Sequence, residues 1–346
     1  MKKVLKFALA LLAVLLVAGG VFACLALSSC VSVPEGSKAE RLYIYPHAGL
    51  DEVLDSLSHK SSVSGGFALR TVFSLVSSRY GGFRAGSYEL SDGISPLRLA
   101  LNAARGYQTP VRLSFNNVRT REQLCARLSA PLMLDSADVA RTLASDSLQR
   151  ACGLDSANIL CLFLPDTYEF YWTVTPVELF DKFRNAYDDF WTPVRSQKAK
   201  EAGLTPAQVV TLASIVEEES NLRDEQPRIA GLYLNRFRKG MKLQADTTVK
   251  FATGDFSLRR ILLEHINATR SNPYNTYTHV GLPPGPIRIP AKATVDAVLN
   301  YERHDFLFMC AKGAGQPGHN FTVTYGEHQK NAASYQQSLD KRGIRR

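Results

Sequence analysis

The 346-residue sequence predicts an α+β protein with an N-terminal transmembrane helix, a small domain and a larger mixed domain. The transmembrane helix is predicted from an uncharged run close to the start of the chain. The α+β class follows from the mixed order of strand-like and helical runs in the remainder. A hydrophobic content of 45% over this length is enough for one or two packed domains, and no low-complexity tract indicates disorder.

The N-terminus predicts a membrane span that is retained. Lys2, Lys3 and Lys6 precede the uncharged run from Phe7 to Leu27. These 21 residues form a helix of about 30 Å, whereas the apolar region of a signal peptide has only about 7–15 residues. We therefore expect residues 1–32 to be a cytoplasmic stub and a single-pass helix in contact with the lipid of the cytoplasmic (inner) membrane. The positive-inside rule then places the rest of the chain on the exterior or periplasmic side.

A lipid anchor is the alternative to the retained span. The run Leu27-Ser28-Ser29-Cys30 resembles a bacterial lipoprotein cleavage box, with Cys30 as the acylated residue. Both interpretations tether the body of the protein to a membrane. Incorporation of labelled palmitate that is lost in Cys30→Ser would decide for the lipoprotein.

Charge and cysteine content exclude several classes of function. The formal net charge is +9, but the basic residues are spread along the chain without an aromatic RNA-binding motif, so no nucleic acid is expected as a partner. The cysteines outside the membrane segment lack the close pairs of a zinc site, and no HExxH motif occurs. We expect neither a metal nor a cofactor. Cys152 and Cys161 either form a disulfide in an oxidising exterior or remain buried thiols.

The exported part divides into a linker and two domains. Residues 33–40, with Pro34 and Gly36, are expected to form a polar linker. The small domain is expected over residues 41–108 and the larger one over residues 109–346. In the small domain the patterns predict strands at 42–45 and 86–90, and helices at 51–57, 67–78 and 96–104.

The larger domain is predicted to be mostly helical. One helix is expected in a segment that ends at residue 128, and others at residues 136–144, 176–191, 205–222, 227–238 and 290–301. Strands are expected at residues 111–115, 306–309 and 321–325. Residues 243–249 are expected to be extended and polar. The aromatic residues Tyr168, Phe170, Tyr171 and Trp172 form either a sugar-stacking wall or ordinary core.

The helix predicted at residues 205–222 reads TPAQVVTLASIVEEESNL. Thr205 is a favourable N-cap, Pro206 suits the first helical position, and Gln208 completes a capping box. Glu219 follows Leu212, Ile215 and Val216 by seven, four and three residues. That spacing places Glu219 on the apolar face of the helix, whereas Glu218 and Glu217 point to other sides.

An apolar environment gives Glu219 a chemical role. Burial disfavours the charged carboxylate and raises its pKa, so the group stays protonated near neutral pH and is able to act as a general acid. The alternative is a solvated acidic helix end in which Glu219 only touches the edge of the core. Glu219 is therefore the candidate catalytic residue.

Polar loops follow this helix. They comprise residues 243–249 (LQADTTV), 272–277 (NPYNTY) and 281–286 (GLPPGP). Pro and Gly make such loops rigid, and Asn, Thr and Tyr supply neutral donors and acceptors for sugar hydroxyls. His319 precedes the last predicted strand, at a cleft edge. Without further information these features indicate a groove for a polar ligand.

The ordered motifs ASIVEEES, LQADTTV, NTY, GLPPGPI and GHNF, after a single N-terminal span, resemble the membrane-bound endolytic murein transglycosylases (the MltG or YceG-like family). The similarity is strong over residues 165–335 and weak before them. It implies that residues 41–108 form a LysM-like module and that residues 109–346 form an α+β catalytic domain.

The resemblance also assigns roles to residues. The catalytic glutamate of the family, which Thr or Ser follows, corresponds to Glu219. The Gln-Thr-Asp-Pro-Thr stretch of the family matches at Gln244, Asp246 and Thr248 and departs at Ala245 and Thr247. The expected substrate-binding residues are Gln244, Asp246, Tyr274, Asn275, Thr276, Tyr277, His319 and Ser220.

The implied activity is that of a peptidoglycan lytic transglycosylase, a carbon–oxygen lyase. It would cleave the MurNAc–GlcNAc bond within peptidoglycan glycan strands, leave 1,6-anhydroMurNAc ends and limit the length of nascent strands. Glu219 would protonate the glycosidic oxygen and then accept the proton of the C6 hydroxyl. The family also implies proximity to penicillin-binding proteins.

Three other classes remain open at this point. A muramidase-type hydrolase would use Asp246 as a second carboxylate to activate water and would leave reducing ends. A non-catalytic scaffold would bind peptidoglycan without releasing fragments. A metalloenzyme would need a ligand cluster, which the scattered histidines of the chain do not provide.

Overall fold

The computed structural model describes residues 2–64, 66–313 and 316–341, which fall into two compact units. Unit 1 consists of Met1–Leu113, Ala130–Leu134 and Tyr168–Thr175, and unit 2 of Ser114–Ser129, Asp135–Thr167 and Pro176–Arg346. Both units mix helices with sheets, so the mixed class expected from the sequence is confirmed. Each sheet in the described ranges has only two strands.

Unit 1 starts with α1 (Lys2–Leu27), the expected apolar helix. Residues 3–27 are long and apolar enough to cross a membrane. Most side chains along α1 are exposed, including those of Leu12, Leu16 and Val17. Such a continuous apolar surface is unfavourable in water and suits contact with lipid.

The body of unit 1 contains two small sheets and three helices. They are β1 (Arg41–Ile44), α2 (Leu50–Ser58), α3 (Gly66–Tyr80), β2 (Gly86–Glu89), α4 (Pro96–Arg105), β3 (Val111–Ser114) and β4 (Thr167–Phe170), with β3 next to β4. β1 and β2 are antiparallel, with Arg41 opposite Glu89. Leu42 and Ile44 of β1 are buried because alternate residues of a strand face the same side.

Residues 30–33 are packed into unit 1. The backbone N–H of Cys30 donates to the carbonyl of Ile94 at 2.9 Å, and the Cys30 thiol donates to the same oxygen at 3.3 Å. Val31 forms an isolated bridge with Val63. The Cys30 side chain is only 1% exposed, so acylation would require it to leave this position.

The aromatic run at residues 168–172 also lies in unit 1. Tyr168, Phe170 and Trp172 are buried, whereas Tyr171 is 57% exposed. Trp172 packs against Tyr43 with 5.0 Å between ring centroids. Three of the four rings are core, which favours the core interpretation over a sugar-stacking wall.

Unit 2 is mostly helical. Its elements are α5 (Arg121–Ser129), α6 (Ser136–Leu143), α7 (Asp146–Ala151), a 3₁₀ turn (Ile159–Leu162), α8 (Pro176–Phe190), α9 (Pro193–Ala202), α10 (Pro206–Glu219), α11 (Gln226–Arg238), α12 (Asp246–Thr253), α13 (Leu263–Ala268), α14 (Lys292–Leu299), β5 (Phe308–Ala311), β6 (His319–Thr322) and α15 (Tyr325–Lys341). β5 and β6 are antiparallel, with Ala311 opposite His319.

The central helix of unit 2 is α10. Thr205 and Gln208 form the expected capping box. The Thr205 hydroxyl accepts from the backbone N–H of Gln208 at 3.2 Å, and the Gln208 side-chain oxygen accepts from the backbone N–H of Thr205 at 2.9 Å. All residues from Val209 to Val216 are buried, because α11 and α14 pack against this helix. Only its last turn, with Glu217, Glu218 and Glu219, reaches partly accessible surroundings.

Four local predictions differ from the structure. The helix expected at residues 205–222 ends at Glu219, because the backbone of Ser220 is extended. Residues 243–249 were expected to be extended, but α12 begins at Asp246, where an acidic side chain favours a helix N-terminus, and it buries Thr248 and Val249. The strand expected at 306–309 is β5, shifted by two residues and only half-buried. The strand expected at 321–325 ends at Thr322, and Tyr325 already begins the largely polar α15.

Candidate active site

The first two glutamates at the end of α10 are bound by neighbouring groups. The Glu217 carboxylate accepts hydrogen bonds from the backbone N–H of Ala291 and the hydroxyl of Thr294, both at 2.7 Å, and it pairs with Arg288 at 3.1 Å. These donors belong to the start of α14, so Glu217 acts as an external cap for that helix.

Glu218 forms an arginine cluster with the same Arg288. Its Oε1 accepts from Arg119 Nη2 at 2.6 Å and from Arg288 Nη1 at 2.7 Å. The side chains of Glu218 and Arg288 are mostly buried, with 14% and 15% exposure. Glu217 and Glu218 therefore hold unit 2 together as paired anions.

Glu219 differs from both. Its Oε1 accepts a hydrogen bond from the hydroxyl of Thr247 at 3.1 Å, and no lysine or arginine of the described ranges forms an ion pair with it. Burial raises the pKa of Glu219 from its ordinary value of 4.5 to about 7, and the charge of Asp246 acts in the same direction. Thr247, His319 and the Tyr233 hydroxyl oppose this rise. Near neutral pH the carboxyl group is thus divided between its acid and base forms.

Glu219 faces a cavity of about 440 Å³ in unit 2. The wall comes from the end of α10, from α11, from the loop before α12, from β5 and β6, and from α15. The polar residues on it are Glu219, Tyr233, Arg236, Gln244, Asp246, Tyr277, His319, Tyr325 and His328. A volume of this size accommodates one or two sugar-sized groups.

Four of the predicted substrate-binding residues share this cavity with Glu219: Gln244, Asp246, Tyr277 and His319. The Tyr277 hydroxyl donates to Asp246 Oδ1 at 2.6 Å. Gln244 is exposed and has a positive φ of 52°, a conformation that is uncommon outside glycine. The strained backbone at Gln244 turns the chain into α12 beside the cavity.

The other four predicted residues lie behind the wall rather than on it. Asn275 is buried and donates to the Ile266 carbonyl at 2.9 Å and to the Thr269 hydroxyl at 3.0 Å. Thr276 accepts from the backbone N–H groups of Gln244 and Ala245 at 3.1 and 3.0 Å. Thr276 therefore braces the loop that carries Gln244, whereas Asn275 fixes its own loop to the end of α13.

Tyr274 and Ser220 are also bonded away from the cavity. The Tyr274 hydroxyl donates to the Ala157 carbonyl at 3.3 Å. The buried Ser220 hydroxyl donates to Glu225 Oε2 at 3.0 Å. Neither residue lines the cavity.

Glu225 holds His319 in place. Its carboxylate accepts the backbone N–H of His319 at 2.6 Å and bonds the ring Nδ1 at 2.9 Å. Burial would raise the pKa of Glu225, but its hydrogen bonds with His319 outweigh that effect and lower the pKa. Gly318 has φ of 91°, and a Cβ there would lie 2.9 Å from Glu225 Oε1, so the close approach requires glycine.

Comparisons with known proteins now decide the family. The sequence profile of the YceG-like family matches residues 42–334, which is most of the chain. The chain belongs to the YceG-like family. A crystal structure of a YceG-like protein from Listeria monocytogenes aligns with a TM-score of 0.56 and 25% identity, over 85% of this chain and 98% of that one.

Curated relatives of this YceG-like chain are endolytic murein transglycosylases. The protein from Bacillus subtilis (strain 168) is 31% identical over 178 residues, which are 51% of this chain and 48% of that protein. The one from Streptococcus pneumoniae serotype 2 (strain D39) is 32% identical over 149 residues, 42% of this chain and 27% of that protein. The matched regions thus span about half or less of the curated relatives.

Sequence reasoning missed four residues at the site of this YceG-like protein. Tyr233 lies in the helix predicted at 227–238 without an assigned role, and Thr247 is only a departure from the family pattern. Arg236 follows Leu232 and Tyr233 by four and three residues, so its place on the same helical face was a usable signal. No local pattern marks Glu225, because its partner His319 is 94 residues away.

No group of three or more His, Cys, Asp or Glu side chains within residues 2–64, 66–313 and 316–341 is arranged to hold a metal ion. Cys152 and Cys161 are free thiols rather than a disulfide. Cys161 is fully buried and its thiol lies 3.5 Å from the Ala207 carbonyl, which corresponds to the buried-thiol interpretation.

Proposed function

We propose that this YceG-like protein is an endolytic lytic transglycosylase that cleaves the MurNAc–GlcNAc bond within peptidoglycan strands. The observation that carries the proposal is the environment of Glu219. It is an acid with no ion-pair partner among the described residues, its pKa is raised to about 7, and it faces a polar cavity. The names of the curated relatives supply the substrate class.

In the first step Glu219 acts as the general acid. Its protonated carboxyl group donates to the glycosidic oxygen, which leaves C1 of the muramic acid residue as the O4 hydroxyl of GlcNAc. The Thr247 hydroxyl, 3.1 Å from Oε1, stabilises the carboxylate that remains.

In the second step the same carboxylate is the base. It accepts the proton of the C6 hydroxyl while O6 bonds to C1, so a 1,6-anhydro ring forms and Glu219 regains its proton. No water is consumed and no second carboxylate is needed. The nucleophile belongs to the substrate, so its effective concentration is high, on the order of 10⁵ M or more for a well-oriented group.

Gln244, Tyr277 and His319 are the side chains that we assign to the substrate. All three line the cavity with Glu219 and carry polar atoms suited to acetamido and hydroxyl groups. Asn275, Thr276, Tyr274 and Ser220 would act indirectly, as positioning residues that hold the loops and Glu225.

The membrane arrangement completes the proposal. α1 would cross the cytoplasmic membrane with Lys3 and Lys6 inside and both units outside. The buried Cys30 supports this span over the lipoprotein alternative. The order β1–α2–α3–β2, with the two strands paired, supports a LysM-like role for unit 1. Cleavage on the outer side of the membrane would limit the length of nascent strands close to the penicillin-binding proteins.

The test is digestion of purified sacculi by the full-length protein in detergent, followed by mass analysis of the new ends. The proposal expects internal cuts with 1,6-anhydroMurNAc ends. Reducing ends would instead support a hydrolase in which Asp246 activates water. Binding without released fragments would support a scaffold.

A further inference from the structure

Arg236 is a buried cation in the wall of the cavity. It lies on α11, its residue is 7% exposed, and it shares the cavity with Glu219 and Gln244. Burial lowers its pKa below the ordinary range of arginine. A buried charge is costly unless something compensates for it, so the partners of Arg236 indicate its role.

One edge of the guanidinium is fixed by neutral acceptors. Nε donates to the Leu307 carbonyl at 2.6 Å, and Nη1 donates to the carbonyls of Leu243 and Lys242 at 2.8 and 3.2 Å. Nη1 also lies 3.3 Å from Gln244 Oε1. The group packs against the ring of Phe308, 5.2 Å from the centroid. The guanidinium therefore has a single orientation.

The other edge has no partner. Nη2 donates no hydrogen bond to the described residues. It is also not one of their fully buried polar atoms without a partner, so it is accessible to solvent. No carboxylate of these residues forms an ion pair with Arg236, whereas Arg195 and Arg228 in the same unit pair at 2.7 and 3.0 Å. The remaining donor edge of a fixed cation thus opens on the cavity.

The other charged groups of the cavity do not neutralise Arg236. The Asp246 carboxylate is occupied by the Tyr277 hydroxyl at 2.6 Å. His319 is tied to Glu225 at 2.9 Å. Glu219 is bonded to Thr247. None of these groups pairs with Arg236, so an anionic ligand in the cavity would supply the counter-charge at its remaining donor edge.

We propose that Arg236 binds a carboxylate of the substrate and is a specificity-determining residue of the cavity. The proposal rests on the proposed function, in which muramic acid is the only sugar with an acidic substituent. Two sources supply the same chemistry. In peptide-free strands the lactyl group is a free carboxylate, and in peptide-bearing strands the lactyl group is an amide and the carboxylates belong to the stem peptide.

The test compares R236K with R238K, both in the full-length protein in detergent. Lysine keeps the positive charge but lacks the planar fork that would bind three carbonyls and a carboxylate together. Arg238 lies two residues further along α11, is exposed, and bonds to the Ala202 carbonyl and the Tyr301 hydroxyl outside the cavity. R238K is therefore the matched control.

The substrates are peptide-free strands and peptide-bearing strands, each in its native form and after amidation of its carboxylates with carbodiimide and ammonia. On at least one native preparation R236K should raise KM by about tenfold or more with kcat nearly unchanged, as expected for a lost charge-assisted contact. Amidation of that preparation should raise the KM of the unmodified enzyme equally and leave R236K unaffected. The responding preparation identifies the source of the carboxylate.

Two results would overturn the inference. One is a wild-type KM that amidation of neither preparation changes. The other is an R236K variant whose kcat falls equally on native and amidated strands, which would make Arg236 only a brace for the Gln244 loop. Calorimetric binding of the same strands separates the two proposals, because the carboxylate dependence of binding is measurable even if no anhydro ends are formed.

Discussion

Glu217 and Glu218 have the same side chain as Glu219 but different surroundings. All three lie in the last turn of α10. The first two share Arg288, and Glu217 also caps α14. The third is bonded to the hydroxyl of Thr247 and has a raised pKa. The same helical turn thus contains two anions that stabilise the fold and one acid that is available for chemistry.

Local sequence therefore does not assign the role of an acidic residue. Glu217 and Glu218 form ion pairs with arginines, whereas burial without such a cation favours the neutral form of Glu219. The role depends on which face of α10 meets Arg119 and Arg288. Substitutions of Glu219 and of the Glu217–Glu218 ion pairs should therefore affect different properties.

The largest expected effect is on cleavage. E219Q should lose at least about 10³-fold in kcat/KM on sacculi, because the amide neither donates an acidic proton nor accepts one. The release of soluble muropeptides measures it. E217Q is the control within the same turn and should retain cleavage at a temperature where it stays folded. An active E219Q with an inactive E217Q would reverse the assignment.

The next effect is on stability. R288M should destabilise unit 2 by about 3 kcal/mol or more, because it leaves two mostly buried carboxylates without their shared cation. Arg112 pairs with Glu169 at an exposed site, where the side chains are 77% and 53% exposed, so R112M should cost less than about 1 kcal/mol. Chemical denaturation followed by circular dichroism compares them. Equal losses would show that the Arg288 cluster is not a structural centre.

A smaller effect is expected on the pH dependence of stability in E219Q. The folded pKa of Glu219 lies above its ordinary value, so its contribution to stability is present below about pH 4.5 and is lost as the pH rises through about 7. E219Q lacks this loss. Its free energy of unfolding relative to wild type should rise by about 1–2 kcal/mol between pH 5 and pH 8. This value is reduced because Glu219 is partly exposed. Thermal unfolding of E219Q and wild type at both pH values measures this gain, and an equal pH dependence of the two proteins would contradict it.

The smallest effect concerns Thr247. Its hydroxyl favours the charged form of Glu219, so T247V should move the corresponding pKa of the kcat/KM profile upward by a few tenths of a unit. T253V, near the other end of α12, is the matched control and should leave the profile unchanged. A downward shift in T247V would contradict the contact.

The sequence predicted what depends on neighbours in the chain. Thr205, Pro206 and Gln208 placed the start of α10, and helical spacing separated Glu219 from the other two acids. These features are local, since a capping box and a helical face involve residues within two turns of each other.

Long-range partners were beyond such reasoning. Arg119 and Arg288 lie 99 and 70 residues from Glu218. The extended interpretation of residues 243–249 failed for a related reason, because the buried hydroxyl of Thr248 is satisfied by Thr276, 28 residues away, and by its own helix. Polar residues that tertiary contacts bury look exposed in the sequence.

The most direct test of the central claim is the ionisation of Glu219 itself. The carboxyl infrared band of Glu219, isolated as the difference between wild type and E219Q, is titrated in the full-length protein between pH 4 and pH 9. We predict a midpoint near pH 7, at which half of the molecules carry the acid and half the base. A midpoint near the ordinary value of 4.5 would contradict the account, because the protein would then carry almost no proton to donate at neutral pH.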